Sequence, residues 1–218
     1  MSSYVKGKEW KQEKYNLILE VGFKNFAEKG IEQVTMTEIA EASDVGRMTL
    51  LRYFPSKTEL VIAISTWKWK EYITWHNNLL SAEEMEKLTG AEYLKFYIGS
   101  FLDLYRNHRD MLRFNYNFNS FLAYQKGTAE QKQPYQKMVN VLAEKFHGLY
   151  ERGRQDGTLN TDIPEHTMFS SVFHIMLAAV TRYAVGLAIV NESAPEGELV
   201  MLGEMMLGKF TNKKENFS

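Results

Sequence analysis

The residues best equipped to do chemistry sit close together. Arg47, Met48, Thr49, Leu51 and Arg52 lie within the stretch Thr35–Lys57, TMTEIAEASDVGRMTLLRYFPSK. They offer two guanidinium groups, a hydroxyl and two apolar side chains. No nucleophile with a base beside it is among them. They suit the reading of base edges: arginine can bond guanine O6 and N7 together, and an apolar group can meet the thymine methyl. Two short helices joined by a tight turn would position them. Thr35 and Glu38 have the T-x-x-E spacing of a capping box, so a helix starts there, with Ile39 and Ala40 inward. Glu41-Ala42-Ser43-Asp44 holds no apolar anchor and carries the turn, which needs one left-handed residue; Asp44 tolerates that conformation. The second helix runs roughly from Gly46 to Phe54, with Val45, Leu50 and Phe54 inward. So short a helix is not stable by itself, and its exposed set makes sense when presented to a DNA major groove.

Over about residues 12–64 the chain resembles the TetR family of bacterial transcriptional regulators. That family's second DNA-binding helix commonly reads V-S-x-G-T-L-Y-x-Y-F, then x-S/N-K-x-x-L. Here the residues are Val45-Gly46-Arg47-Met48-Thr49-Leu50-Leu51-Arg52-Tyr53-Phe54, then Pro55-Ser56-Lys57-Thr58-Glu59-Leu60. Upstream, Phe26…Gly30 and Thr35…Ile39-Ala40 match as well. Three positions depart from the pattern: Gly46 stands for a Ser or Thr cap, Asp44 for the turn glycine, and Leu51 for a tyrosine that would touch the DNA backbone. The resemblance implies that Arg47, Met48 and Thr49 read bases and that Thr37, Tyr53 and Lys57 lie at phosphates, with Arg52 beside them. It also implies a homodimer on double-stranded operator DNA and a second domain that senses small molecules.

Composition narrows the remaining classes. The 218 residues are 44% hydrophobic and 24% charged, with no cysteine and a net charge of −1. A core can form without metals or disulfides. The near-neutral balance provides no bulk field for coating nucleic acid, so DNA contacts must come from local placement of Lys and Arg. The N-terminal MSSYVKGKEWKQEK has no apolar run, and the most apolar segment, Met168–Val190, contains His174 and Arg182. Neither a secretory leader nor a membrane span is expected, and the expected location is the cytoplasm. His76, His108, His147, His166 and His174 show no metal-ligand spacing. There is no Gly-rich phosphate loop and no G-x-S-x-G. No metal site, cofactor or enzymatic activity is expected; a helical enzyme would need an unrecognised constellation.

The rest of the chain reads as helices, so the fold class is all-α: an N-terminal three-helix helix-turn-helix DNA-binding domain (1–57), a helical effector-binding and dimerisation domain (58–210) and a polar tail (211–218). A helix over 8–29 ends at Lys29-Gly30, with Lys6, Lys8, Lys11 and Lys14 either near phosphates or on a solvated face. Ser56 and Glu59 make a second capping box that starts a helix to about Asn78. Ser81–Gly90 reads as a polar break. Helices follow over about 91–107, 109–124, 134–155, 164–190 and 196–210, with Asp156-Gly157 as a stop and Ser193-Ala194-Pro195 as a break.

Apolar stripes on the last two helices suggest an interface between copies built from Phe169, Phe173, Met176, Val180, Leu199, Leu202 and Met206. Ile175 and Ile189, and Met201 with Met205, form further stripes. The alternative is a monomer whose last helices close its core. Trp67, Tyr97, Phe101, Phe114 and Phe118, with His174 and Arg182 as polar anchors, form a candidate pocket for a small apolar or amphipathic effector. Their helical spacing equally describes core. The function expected is a sequence-specific, ligand-responsive transcriptional repressor acting as a homodimer. The alternative is a DNA-binding architectural or protein-interaction factor without an effector.

Overall fold

The computed structural model describes residues 3–125, 128–187 and 195–212, side chains excepted at 3–9 and 195. Among these there are ten helices, no strand and one isolated bridge, Leu159 with Thr211. The chain forms two compact units.

One unit comprises Met1–Tyr72 and Arg113–Met138. It holds α1 (Ser3–Lys29), α2 (Met36–Ala42), α3 (Arg47–Tyr53), most of α4 (Lys57–Asn77), most of α7 (Arg109–Tyr124) and the first turns of α8 (Ala129–Gln155). Ile18 and Phe26 on α1 are buried along with Ile39, Leu50, Leu60 and Ile64. Gly22 lets α1 and α4 close on each other, since a Cβ there would lie 2.6 Å from Ile64 Cδ1. α7 joins through Phe23 and Phe114, whose ring centres are 5.5 Å apart. α1 ends as its sequence suggests, with Gly30 at φ +84. α4 starts with the Ser56–Glu59 box, in which each backbone N–H finds the other residue's side-chain oxygen, at 3.1 and 3.2 Å. Packing does not divide the chain at residue 57, because the first turns of α4 supply core to the helices before it. The expected start of α8 at Pro134 moves to Ala129: Thr128 and Gln131 exchange capping bonds of 3.0 and 3.2 Å. The helix therefore continues through Pro134.

The other unit comprises Ile73–Leu112 and Val139–Ser218. It holds α5 (Ala82–Lys87), α6 (Gly90–Asn107), the rest of α8, α9 (Glu165–Ala184) and α10 (Pro195–Phe210). α6, α9 and α10 pack against one another. Met168, Val172, Met176 and Val180 recur every four residues on α9 and are 0% exposed, as is Leu199 on α10. The expected break at 81–90 contains α5, which opens with a Ser81–Glu84 capping box. α9 stops at Ala184, short of the expected Val190, and residues 188–194, including Ile189, lie outside the described residues. Gly186 at φ +73 ends it: Gly186 N–H reaches Tyr183 O at 3.2 Å and Leu187 N–H reaches Arg182 O at 3.0 Å, a Schellman closure. The expected polar tail begins with two docked residues. Asn160 N–H bonds Phe210 O at 2.8 Å, and Asn212 N–H bonds Thr158 O at 2.9 Å. Residues 213–218 lie outside the described residues.

The start of α6 meets the end of α8 so closely that a Cβ on Gly90 would lie 2.1 Å from Gly153 Cα. Gly90 N–H donates to the Asp156 carboxylate at 2.8 Å, and Ala91 N–H donates to the Thr158 hydroxyl at 2.9 Å. Burial pushes the Asp156 pKa up, but the bonds from the Thr158 hydroxyl and the Gly90 and Thr158 N–H groups outweigh it and hold the carboxyl below its usual range. A folded-state pKa below the unfolded one gives stability that is present above about pH 4 and lost as pH falls through the folded value. Asp156→Asn should therefore lower Tm at pH 7, and the gap to the wild type should close as the pH is lowered through 4 in thermal melts.

Candidate nucleic-acid interface

Local hydrogen bonds build the α2–α3 corner. The Thr35 hydroxyl accepts from Glu38 N–H at 3.2 Å, and the Glu38 carboxylate accepts from Thr35 N–H at 2.6 Å. The backbone and side-chain bonds from Thr35 hold the Glu38 pKa below its usual range. α2 then ends on Asp44, which is at φ +50, alone among the described non-glycine residues in having a positive φ. Asp44 N–H bonds Glu41 O at 3.1 Å and Val45 N–H bonds Ala40 O at 3.0 Å. This is the same Schellman closure as at Gly186, built on an aspartate. Gly46 follows in extended conformation and caps α3 without a side-chain bond.

α3 has seven residues, and contacts from elsewhere hold it. Leu50 is 0% exposed and Phe54, its C-cap, 3%. The Tyr15 ring of α1 stacks on Phe54 with centres 5.1 Å apart and meets Tyr53 edge-on at 6.1 Å. The Tyr53 hydroxyl donates to Lys11 O at 3.3 Å. Tyr53 thereby spends its hydroxyl on α1, a tie the sequence did not reveal.

The other side of α3 faces solvent. Arg47 and Arg52 are exposed and Met48 is 76% exposed. Thr49 and Leu51 are half-buried at the rim, and Thr37 on α2 is exposed. The Arg52 guanidinium donates to the Thr49 hydroxyl at 3.3 Å. Lys57 Nζ donates to Glu32 O at 3.4 Å, and burial lowers its pKa from the ordinary lysine value against the pull of Glu32 and Glu38. The structure thus brings the eight residues expected at DNA onto or beside one helix pair. Lys11 is exposed on α1 and Lys14 half-exposed; the side chains of Lys6 and Lys8 lie outside the described residues.

The seven residues of the expected pocket fall into both units. Trp67, Phe114 and Phe118 lie in the first, and the Phe114 and Phe118 rings stack within its core at 6.0 Å. Tyr97 and Phe101 lie in the second, in edge contact at 5.8 Å, and burial pushes the Tyr97 phenol well above its usual pKa. His174 and Arg182 require a correction. Both are exposed, because α9 turns Met168, Val172, Met176 and Val180 inward and leaves their opposite side to solvent. The same rotation corrects the expected interface. Met176, Val180 and Leu199 are 0% exposed and Met206 is largely buried in its own chain, while Phe169, Phe173 and Leu202 are half-buried. Exposed apolar groups on α9 and α10 include Ile175 at 47%, Met201 at 53% and Met205 at 64%.

The first unit also holds a groove of about 850 Å³ between α1, α4 and the start of α8, with Tyr15, Leu19, Ile62, Ala63, Trp67 and Lys70 among its lining. Of the expected pocket residues, Trp67 alone lines it. Among the described residues no cluster of three or more His, Cys, Asp or Glu is arranged to hold a metal, and no helix is long and apolar enough to cross a membrane.

Residues 18–64 match the family model described as bacterial regulatory proteins, tetR family. Solved structures share the fold at low identity. The fatty acid degradation regulator FadR from Bacillus halodurans is 18% identical, with a TM-score of 0.67 over 89% of this chain and 95% of that one. FadR from Bacillus subtilis in complex with stearoyl-CoA is 20% identical, with a TM-score of 0.66 over 89% and 96%. The ketosteroid transcriptional regulator KstR2 of Mycobacterium tuberculosis is 14% identical, with a TM-score of 0.64 over 91% and 95%. No curated protein matches the chain at a significant level.

The turn yields a stability test. A left-handed conformation costs an L-residue about 1–2 kcal/mol, partly offset in glycine by the entropy it loses on folding. Asp44→Gly should raise Tm by about 2 °C, and the β-branched Asp44→Val should lower it by more. Differential scanning calorimetry of the full chain reads both.

Proposed function

We propose, from the match of residues 18–64 to the tetR family of bacterial regulatory proteins, that the chain is a transcriptional repressor that binds a palindromic operator as a homodimer and responds to a small apolar or amphipathic effector. One observation carries the DNA-binding reading: α3 turns Arg47, Met48 and Arg52 outward while Leu50 and Phe54 fix it from below. A helix fixed in this way can enter a major groove without rearranging, and its side chains then meet base edges. Thr37 on α2, Tyr53 at the end of α3 and Lys57 at the start of α4 lie beside these side chains and would meet the phosphates, and the cytoplasm is where the chain would meet its DNA. The exposed Ile175, Met201 and Met205 on α9 and α10 support the homodimer, since large apolar side chains left in solvent favour association.

Random-sequence DNA selection tests this reading. The wild type should enrich a palindrome whose half-site centres lie about 34 Å apart, one helical turn. Arg47→Ala should lose the preference at one base position per half-site, costing about 1–3 kcal/mol. Met205→Glu should sediment as a monomer and bind the full site little better than a half-site. Failure to enrich any sequence overturns the proposal.

The groove beside Trp67 supports the effector. About 850 Å³ is within the range of small-molecule sites. Tyr15 lines it and stacks directly on Phe54 at the end of α3, so an occupant that displaces Tyr15 disturbs the reading helix. A regulator without an effector is the second reading, favoured by the close ring packing of Phe101, Phe114 and Phe118 where a pocket was expected. Stearoyl-CoA, the ligand in the Bacillus subtilis FadR structure, is the first probe to try. As an effector it should alter tryptophan fluorescence and release operator DNA, and the operator should weaken its binding by the same factor. Tight binding with unchanged operator affinity favours the second reading.

A further inference from the structure

Met48 places a long apolar side chain in solvent, 76% exposed, on the helix that faces DNA in the reading above. Leu51, one turn further on, is half-buried at the same rim. Residues three apart on a helix are surface neighbours, so the two form a short apolar ridge. α3 cannot rotate to hide it, because Leu50 and Phe54 are fully or almost fully buried on the opposite side.

We propose that Met48 and Leu51 read thymine C5-methyl groups, so that each operator half-site carries thymine beneath this ridge. The inference rests on the operator-binding reading. Leucine has no hydrogen-bonding group, and the methionine sulfur is only a weak acceptor. Neither side chain can distinguish the donors and acceptors of the base edges. Thymine alone among the four bases presents an apolar group in the major groove, so an apolar ridge there selects by that methyl. The neighbouring polar groups are arranged for other work. Arg52 is bonded to the Thr49 hydroxyl at 3.3 Å, leaving Arg47 as the free guanidinium beside the ridge. Methionine is unbranched and adapts its shape to a methyl without demanding one rotamer, which suits a contact made only on binding.

Replacing thymine by deoxyuracil removes the methyl and leaves the hydrogen-bonding edge unchanged. The test uses the full chain and its selected operator, with each thymine replaced singly in both half-sites and affinity read by fluorescence anisotropy. At the thymine under Met48 the wild type should bind about tenfold to twenty-fivefold more weakly, from a threefold to fivefold loss per methyl in each of two half-sites. Met48→Gln, of similar length but polar and at an exposed site, should keep its Tm and lose most of that sensitivity. A wild type that separates operator from scrambled DNA yet is indifferent to every uracil overturns the inference alone. A Met48→Gln chain as uracil-sensitive as the wild type at every position excludes Met48 as the reader and overturns it too. A chain that binds no operator overturns the operator-binding reading and the inference with it.

Discussion

The seating of α3 on α1 is the contact on which the rest depends. Seven residues make fewer than two full turns, and such a segment has no helical stability to spare in water. Its position comes from Leu50 and Phe54, from Tyr15 stacked on Phe54, and from the Tyr53 hydroxyl held by a carbonyl of α1. Two of these four anchors are aromatic residues at its C-terminal end. The N-terminal end, at Gly46, has no side-chain cap. The exposed Arg47 and Met48 stand at the end without a side-chain cap, and the anchors gather at the other.

The helix ends follow a few local devices used repeatedly. Capping boxes open α2, α4, α5 and α6, and a Gln version opens α8. Schellman closures end α2 and α9, on Asp44 and Gly186. These bonds satisfy the backbone groups that a helix end leaves unpaired, and each involves residues no more than five apart. The start of α6 differs in drawing on distant residues as well. Asp156 and Thr158 reach its first N–H groups across more than sixty positions of sequence, and Gly90 and Gly153 permit that approach by having no side chains.

The two candidate functional surfaces differ in what makes them readable. On α2 and α3 few apolar residues compete for the inward face, and only one orientation buries Leu50 and Phe54 together. On α9 apolar residues occur on all sides, so periodicity admits more than one inward face. Packing against α6 and α10 selects the side bearing Met168, Val172, Met176 and Val180. That choice sends Ile175, His174 and Arg182 to the surface.

Local chemistry therefore settled what short-range bonds control. The T-x-x-E and S-x-x-E boxes, the left-handed Asp44, the stops at Gly30 and Gly157 and the outward set on α3 are all legible in residue type and spacing, because each is decided within one or two helical turns. The boxes at Ser81, Thr89 and Thr128 carried the same signal, but polar composition and Pro134 obscured two of them. Tertiary structure decided the rest. Where α4 divides between units, which face of α9 is covered, the tie of Tyr53 to Lys11, the docking of Thr211 and Asn212, and the groove lined by Tyr15 all depend on partners far away in sequence. A side chain's own type does not record which distant surface will cover it, so a helix with several apolar faces keeps its orientation undetermined until its neighbours are in place.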